Sequence, residues 1–133
     1  MTGKILIGNS YSLSLIRKGE VRIAECALSE LQASVCAGAE VCSFWGHENT
    51  LAAAERVTGF PLRPRTARPA IVCSADGHPI FDGEIFDVCW VLSPDYVSGY
   101  RPPIGTEVDE SKIVGWKLLK MTWKTKEENS DEC

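Results

Sequence analysis

The 133-residue sequence lacks several features that mark large classes of proteins. No apolar run approaches the roughly 20 residues that a membrane-spanning helix needs, so no contact with a membrane is expected. The six cysteines form no C-x-x-C pair and accompany no His-x-x-x-His pair, which argues against a zinc site. No signal peptide precedes the first predicted strand, so we expect the cytoplasm. Neither a metal ion nor a cofactor is expected.

Positive charge is also scarce. The formal net charge is -4 at pH 7, and residues 125–133 carry -3 of it, which leaves -1 for residues 1–124. Proteins that bind long nucleic acid need a basic surface, so this class is disfavoured. The hydrophobic fraction of 44% is typical of a globular domain. We predict one domain over residues 1–124, followed by an acidic, disordered tail over 125–133.

Strand-like and helix-like segments alternate along the chain. This alternation predicts an α/β fold with one mixed sheet of about five strands flanked by helices. Helical spacing marks residues 28–35, with Ser29 as the N-cap, and residues 48–57, which end at Gly59. Residues 93–106 are rich in Pro, Gly, Tyr and Ser and are predicted to form a long loop. Strands are predicted at 4–8, 21–26, 41–45, 70–74, 84–92 and 114–123.

A histidine stands between a predicted strand and a predicted helix, in the segment Gly46-His47-Glu48-Asn49-Thr50. The N-terminus of a helix exposes N–H groups and the positive end of the helix dipole, and both attract anions. A histidine at this place can exchange a proton with a bound phosphate near neutral pH. The segment therefore suits the binding or cleavage of a phosphodiester, although a lone histidine at a strand end is more often structural.

A second polar segment, Asn-Ser-Tyr-Ser at 9–12, follows the strand predicted at 4–8. If the strands at 4–8 and 41–45 are parallel neighbours, both polar segments lie at one edge of the sheet, where α/β proteins bind ligands. Alone, the segment is only a helix cap. Trp45 is either a core residue or a surface on which a base stacks. Guanidinium groups suited to phosphate come from Arg63, Arg65, Arg68 and Arg101, unless this arginine group is only a solvated surface.

Together these motifs resemble a known family. The sequence from Ile5 to Ile16 is similar to that family's opening strand and its Asn-Ser-Phe-Ser-Leu-type turn. The segment from Gly46 to Thr50 is similar to its Gly-His-x-x-Thr signature. The family is the viral type III anti-CRISPR ring nucleases, which hosts also encode and which degrade the second messenger cyclic tetra-adenylate. The resemblance covers about residues 3–70 well and 84–123 loosely.

The resemblance implies that the chain cleaves cyclic oligoadenylate without a metal ion, with His47 as the catalytic histidine. Such cleavage needs no metal, because the 2′-hydroxyl of the ring is an internal nucleophile beside each phosphate. A cyclic ligand with repeated halves also suits a homodimer with the site across its interface. The residues that match or lie near the family's ligand-binding positions are Asn9, Ser10, Ser12, Glu48, Asn49, Thr50, Arg65, Arg68 and Arg101.

The sequence departs from the family where a glutamate follows the arginine that aligns with Arg101. Pro103 and Ile104 occupy that segment, Glu107 lies nearby, and residues 93–100 are interpreted as an insertion. The missing glutamate favours one alternative, a protein that sequesters a cyclic nucleotide without cleaving it. The other alternative is a non-enzymatic viral protein that keeps the fold and inhibits its target by protein–protein contact.

Overall fold

The computed structural model describes residues 4–12, 15, 20–46, 48–64, 71–75, 77–102 and 106–123. The tail predicted at 125–133 lies outside them. Within the described part of the chain, no helix has the length and apolar character that crossing a membrane requires. Its elements are β1 (Lys4–Gly8), β2 (Val21–Cys26), α1 (Leu28–Cys36), β3 (Glu40–Ser43), α2 (Glu48–Thr58), β4 (Val72–Cys73), β5 (Pro79–Phe81), β6 (Glu84–Ile85), β7 (Val88–Tyr96), a 3-10 turn (Glu110–Lys112) and β8 (Ile113–Trp123).

The central element is a five-stranded mixed sheet in the order β2-β8-β7-β1-β3. β1 lies parallel to both of its neighbours, and its Leu6 is in register with Cys42 of β3 and Cys89 of β7. β8 lies antiparallel to β7 on one side and to β2 on the other. This arrangement confirms the predicted α/β fold with a mixed sheet of about five strands. It also confirms the parallel pairing of the strand at 4–8 with the strand that precedes His47.

Both faces of the central sheet are covered. Ile5 and Ile7 of β1 pack toward the face that α1 and α2 cover, together with Leu31 and Leu51 of these helices. Leu6 points to the other face, where it packs with Phe86 and Met121 under the small sheet β4-β5-β6. Because β1 is buried on both faces, its sequence is a continuous apolar run rather than an alternating one.

The apolar segment 84–92, predicted as one strand, instead contributes to two sheets. Phe81 pairs with Glu84 across the tight turn Asp82-Gly83, in which both residues have positive φ values, 53° and 79°. This is the backbone of a two-residue hairpin turn, for which Asp-Gly is a favoured sequence. β6 therefore ends in the small sheet at Ile85, and the chain enters the central sheet as β7 at Val88.

Three further predictions are corrected. β7 continues to Tyr96, into the region predicted to be a loop, because β8 pairs with it as far as Ile113. The strand predicted at 70–74 is reduced to the two residues of β4 within the described positions. The N-cap of α1 is Ala27 rather than Ser29, and the Ala27 N–H donates to the Glu30 carboxylate at 2.9 Å. Glu30 thereby occupies a backbone donor at the start of the helix, which fixes where the helix begins.

Candidate functional site

The segments that follow the three parallel strands lie at one edge of the central sheet. Asn9 follows β1, Phe44 to Gly46 follow β3, and residues 97–102 follow β7. α2 begins at the same edge, with Glu48 as its first residue. The carboxyl ends of parallel strands are the usual ligand-binding edge of α/β sheets, so this edge is the candidate site.

The segments after β1 and β3 touch each other directly. The Gly46 N–H donates to Asn9 Oδ1 at 2.7 Å. Close by, Gly8 at the end of β1 lies against the ring of Phe44, which follows β3, and a Cβ atom added to Gly8 would be 2.3 Å from that ring. Only glycine allows this close approach of the two strand ends. Two segments that are 37 residues apart in the sequence are thus fixed together.

Side chains also hold the turn between β3 and α2. The Trp45 N–H donates to Ser43 Oγ at 3.2 Å, and the Trp45 indole Nε1 donates to Thr50 Oγ1 at 3.1 Å. Trp45 is 3% exposed and Thr50 is 4% exposed. The structure therefore supports the interpretation of Trp45 as a core residue and not as a stacking surface. The Thr50 hydroxyl supports the indole, and contact of Thr50 with a substrate stays a prediction.

A cavity of about 280 Å³ opens beside the contact between Asn9 and Gly46. Ser10 and Ser12 line it together with these two residues. The three residues predicted as ligand contacts from the 9–12 segment thus face one cavity, next to the residue that precedes His47. The lining supplies amide and hydroxyl groups, which can donate hydrogen bonds to phosphate oxygens.

Tyr11 forms an apolar part of the cavity wall and was not singled out from the sequence. Its ring centroid lies 5.5 Å from that of Trp123. Its Oη is buried and has no hydrogen-bond partner among the described residues. Burial raises the pKa of Tyr11, so the side chain remains a neutral phenol that can donate a proton to a hydrogen bond. The signal available in the sequence was an aromatic residue enclosed by polar ones at the end of a strand.

The first turn of α2 is bonded to two loops. The Glu48 carboxylate accepts from Arg63 Nη1 at 3.0 Å, and both side chains are exposed. The Asn49 carbonyl accepts from the Val108 N–H at 2.9 Å, which places the buried Val108 against the helix. The predicted anion-binding end of α2 is thus held on two sides, by residues before β4 and by residues before β8.

The predicted arginine ligands are placed only in part. Arg101 is exposed in the segment after β7, and it is not among the described residues that line the cavity. Arg63, as noted, bonds Glu48. His47, Arg65 and Arg68 lie outside the described residues, so the roles assigned to them stay predictions.

Glu107 lies near the segment in which the family glutamate is missing. Its carboxylate interacts with charged side chains outside the cavity. The pKa of Arg56 is raised mainly by its hydrogen-bonded ion pair with Glu110, and the Glu107 carboxylate adds to this effect. Glu107 therefore lies in the field of α2's exposed Arg56. It is not among the described residues that line the cavity.

Comparisons with known proteins show a similarity of fold. No protein-family model and no curated protein matches the sequence. Among solved structures, the chain is similar to B116 of Sulfolobus turreted icosahedral virus, with a TM-score of 0.55 and 12% sequence identity. The similarity covers 92% of this chain and 100% of the viral one. At this identity it shows that the chain has the fold of a viral protein.

Proposed function

We propose that the chain is a metal-independent ring nuclease that cleaves cyclic oligoadenylate, such as cyclic tetra-adenylate, and thereby switches off type III CRISPR defence. The observation that carries this proposal is the hydrogen bond between Asn9 and Gly46. It joins the two segments that resemble the ring-nuclease motifs, beside a cavity at the ligand-binding edge of the sheet. The fold shared with a viral protein is compatible with this function.

In the proposed reaction, a ribose 2′-oxygen attacks the adjacent phosphorus and the bond from phosphorus to the 5′-oxygen breaks. His47 gives a proton to the leaving 5′-oxygen. Ser10, Ser12 and the N–H groups at the start of α2 hold the phosphate in line. Arg101, with Arg65 or Arg68, balances the phosphate charge. The products are short linear adenylates that end in a 2′,3′-cyclic phosphate.

A homodimer is part of the proposal. Pockets for drug-sized molecules measure about 300–1,000 Å³, so a cavity of about 280 Å³ suits little more than one nucleotide. A ring of four nucleotides is larger than this. Two copies related by a two-fold axis would each present a cavity and a His47 to one half of the ring.

The test is incubation of the purified chain with labelled cyclic tetra-adenylate in EDTA. We compare the native chain with His47→Gln and with the matched control His78→Gln. His78 lies in the β4–β5 connection, with Nε2 at 3.6 Å from Asp87 Oδ1, and belongs to no part of the proposed site. We expect linear products from the native chain and from the control. From His47→Gln we expect a cleavage rate that is lower by a factor of about 10² or more. An intact ring in all three samples would refute cleavage of this substrate.

Sequestration without cleavage is the second candidate function. It is favoured by the missing family glutamate and by the position of Glu107 beside Arg56 rather than in the cavity lining. A sequestering protein binds labelled cyclic tetra-adenylate tightly and returns it unchanged after denaturation. Its affinity would also be nearly equal in the native chain and in His47→Gln. Absence of binding would leave the non-enzymatic, protein-binding alternative.

A further inference from the structure

Asn9 follows β1, whereas His47 comes after β3 in the sequence, and the Asn9 side chain connects the ends of these two strands. We infer that Asn9 is a positioning residue for His47: its Oδ1 accepts from the peptide N–H of Gly46 and so restrains the residue that directly precedes His47 in the chain. This inference rests on the proposed function, since it assigns a role within the same site.

The chemistry of the contact defines how the Asn9 amide is oriented. A backbone N–H can only donate, so the atom at 2.7 Å from Gly46 N must be the amide oxygen and not the amide nitrogen. The bond is short for an N–H···O contact, within the normal range. Gly46 is itself exposed, so water would take this N–H if the asparagine oxygen did not.

Gly46 is the last described residue before His47 in the turn between β3 and α2. Glycine has the widest choice of backbone angles, so a glycine next to a catalytic side chain needs an external restraint. The residues around it are restrained in other ways: Trp45 by Ser43 and Thr50, and the start of α2 by the bond from Val108 to Asn49. The bond from Gly46 to Asn9 completes this set. A reacting group must be held to about 0.5 Å and 10–20° for efficient catalysis, and we assign that task to this set.

A direct contact with substrate is the rival role for Asn9, because Asn9 also lines the cavity. The two roles differ in kinetics. Loss of a substrate contact raises KM, whereas loss of positioning lowers kcat and leaves KM nearly unchanged. Asn9→Leu has almost the same shape without an acceptor, and we expect its kcat to fall about 10–100-fold with KM within about 3-fold.

Asn9→Asp restores the acceptor and provides the rescue. We expect its kcat to lie within about 10-fold of the native value. Recovery of kcat by the acceptor alone, with KM nearly unchanged, separates a positioning bond from a contact with substrate.

Gln32→Leu is the matched control. Its Nε2 donates to the Thr58 carbonyl at 3.0 Å, which is also a bond from a side-chain amide to the backbone but lies at the far end of α2. We expect a lower melting temperature and a kcat within about 2-fold of the native value, because the bond is remote from Gly46 and from the start of α2.

A measurement without substrate separates this inference from the proposed function. Amide hydrogen exchange of Gly46 is expected to be slow in the native chain and in Asn9→Asp, and about 10-fold or more faster in Asn9→Leu. Equal exchange in the native chain and Asn9→Leu would overturn the inference, and so would a rise in KM at constant kcat. If the native chain cleaves no cyclic tetra-adenylate, the proposed function fails. The exchange rate of the Gly46 amide then still shows whether Asn9 restrains Gly46.

Discussion

The two helices pack on the same face of the central sheet but are held very differently. α1 has one buried residue, Leu31, whereas α2 has five, at Thr50, Leu51, Ala53, Ala54 and Thr58. α1 begins at an N-cap, Ala27, that has no side-chain acceptor. The helix whose N-terminus lies at the candidate site is therefore the one that is better anchored in the core.

Hydrogen bonds and ion pairs increase this difference. The Leu62 N–H donates to the Glu55 carboxylate at 2.8 Å, and Arg56 forms an ion pair with Glu110 before β8. Together with Asn49 and Val108, these contacts bind α2 to chain segments on both sides. The comparison teaches that contacts with distant parts of the chain are concentrated on the helix that would present its N–H groups to a phosphate, which is what preorganisation requires.

The largest expected effect comes from the core contact of α2. Leu51 is 3% exposed, and Leu51→Ala removes its packing and leaves a cavity, so we expect the free energy of unfolding to fall by about 2–5 kcal/mol. Cys36→Ala at the exposed end of α1 is the control, with a change within about 0.5 kcal/mol. Urea denaturation followed by circular dichroism measures both, and similar losses would contradict the contrast between the helices.

An intermediate effect is expected at the bond between α2 and the turn that precedes it. Thr50→Val keeps the shape but removes the acceptor of the buried Trp45 Nε1–H, which costs about 1–3 kcal/mol of stability. Thr50→Ser keeps the hydroxyl and should lose clearly less. The same denaturation assay compares the two variants, and an equal loss in both would contradict the larger contribution assigned to the hydrogen bond.

The smallest expected effect would reduce the difference in stabilisation between α1 and α2. Ala27 has the extended backbone of an N-cap, φ -81° and ψ 149°, and Glu30 already bonds its N–H. Ala27→Ser adds the missing acceptor and completes a Ser-x-x-Glu capping box, with an expected gain of about 0.5–1 kcal/mol. A higher melting temperature and slower amide exchange in the first turn of α1 would agree. No gain would indicate that the Glu30 bond alone sets the start of α1.

The elements that follow local patterns were predictable from the sequence. The apolar run of β1 and the spacing of α2 predicted these elements almost to the residue. The meeting of the segments after β1 and β3 was predicted on the condition that the two strands are parallel neighbours, as they are. The division of residues 84–92 between two sheets was not predictable. Nothing in that apolar run marks which sheet each half joins, because the choice depends on pairing with β5 and with β8.

The parts of the site that escaped prediction depend on contacts between distant residues. Asn9 was identified as polar and near the ligand, but its bond to Gly46 follows from how closely two strands approach. The Thr50 hydroxyl is turned to an indole only because α2 folds back over Trp45. Residue types and spacing give the candidates for a site, whereas the packing of the elements determines what each side chain bonds.

The place of β1 between β3 and β7 has a consequence for synthesis on the ribosome. β1 is synthesised before both of its neighbours: β3 follows after some forty residues, whereas β7, which pairs Cys89 with Leu6, emerges much later. β8, which closes the sheet beside β7, is the last described strand. Contacts between residues so far apart in sequence slow folding. The hydrophobic core of the nascent chain therefore stays incomplete until β7 and β8 have been synthesised. A chain interrupted before β7 would contain both motifs and still lack a complete sheet edge on which to hold them.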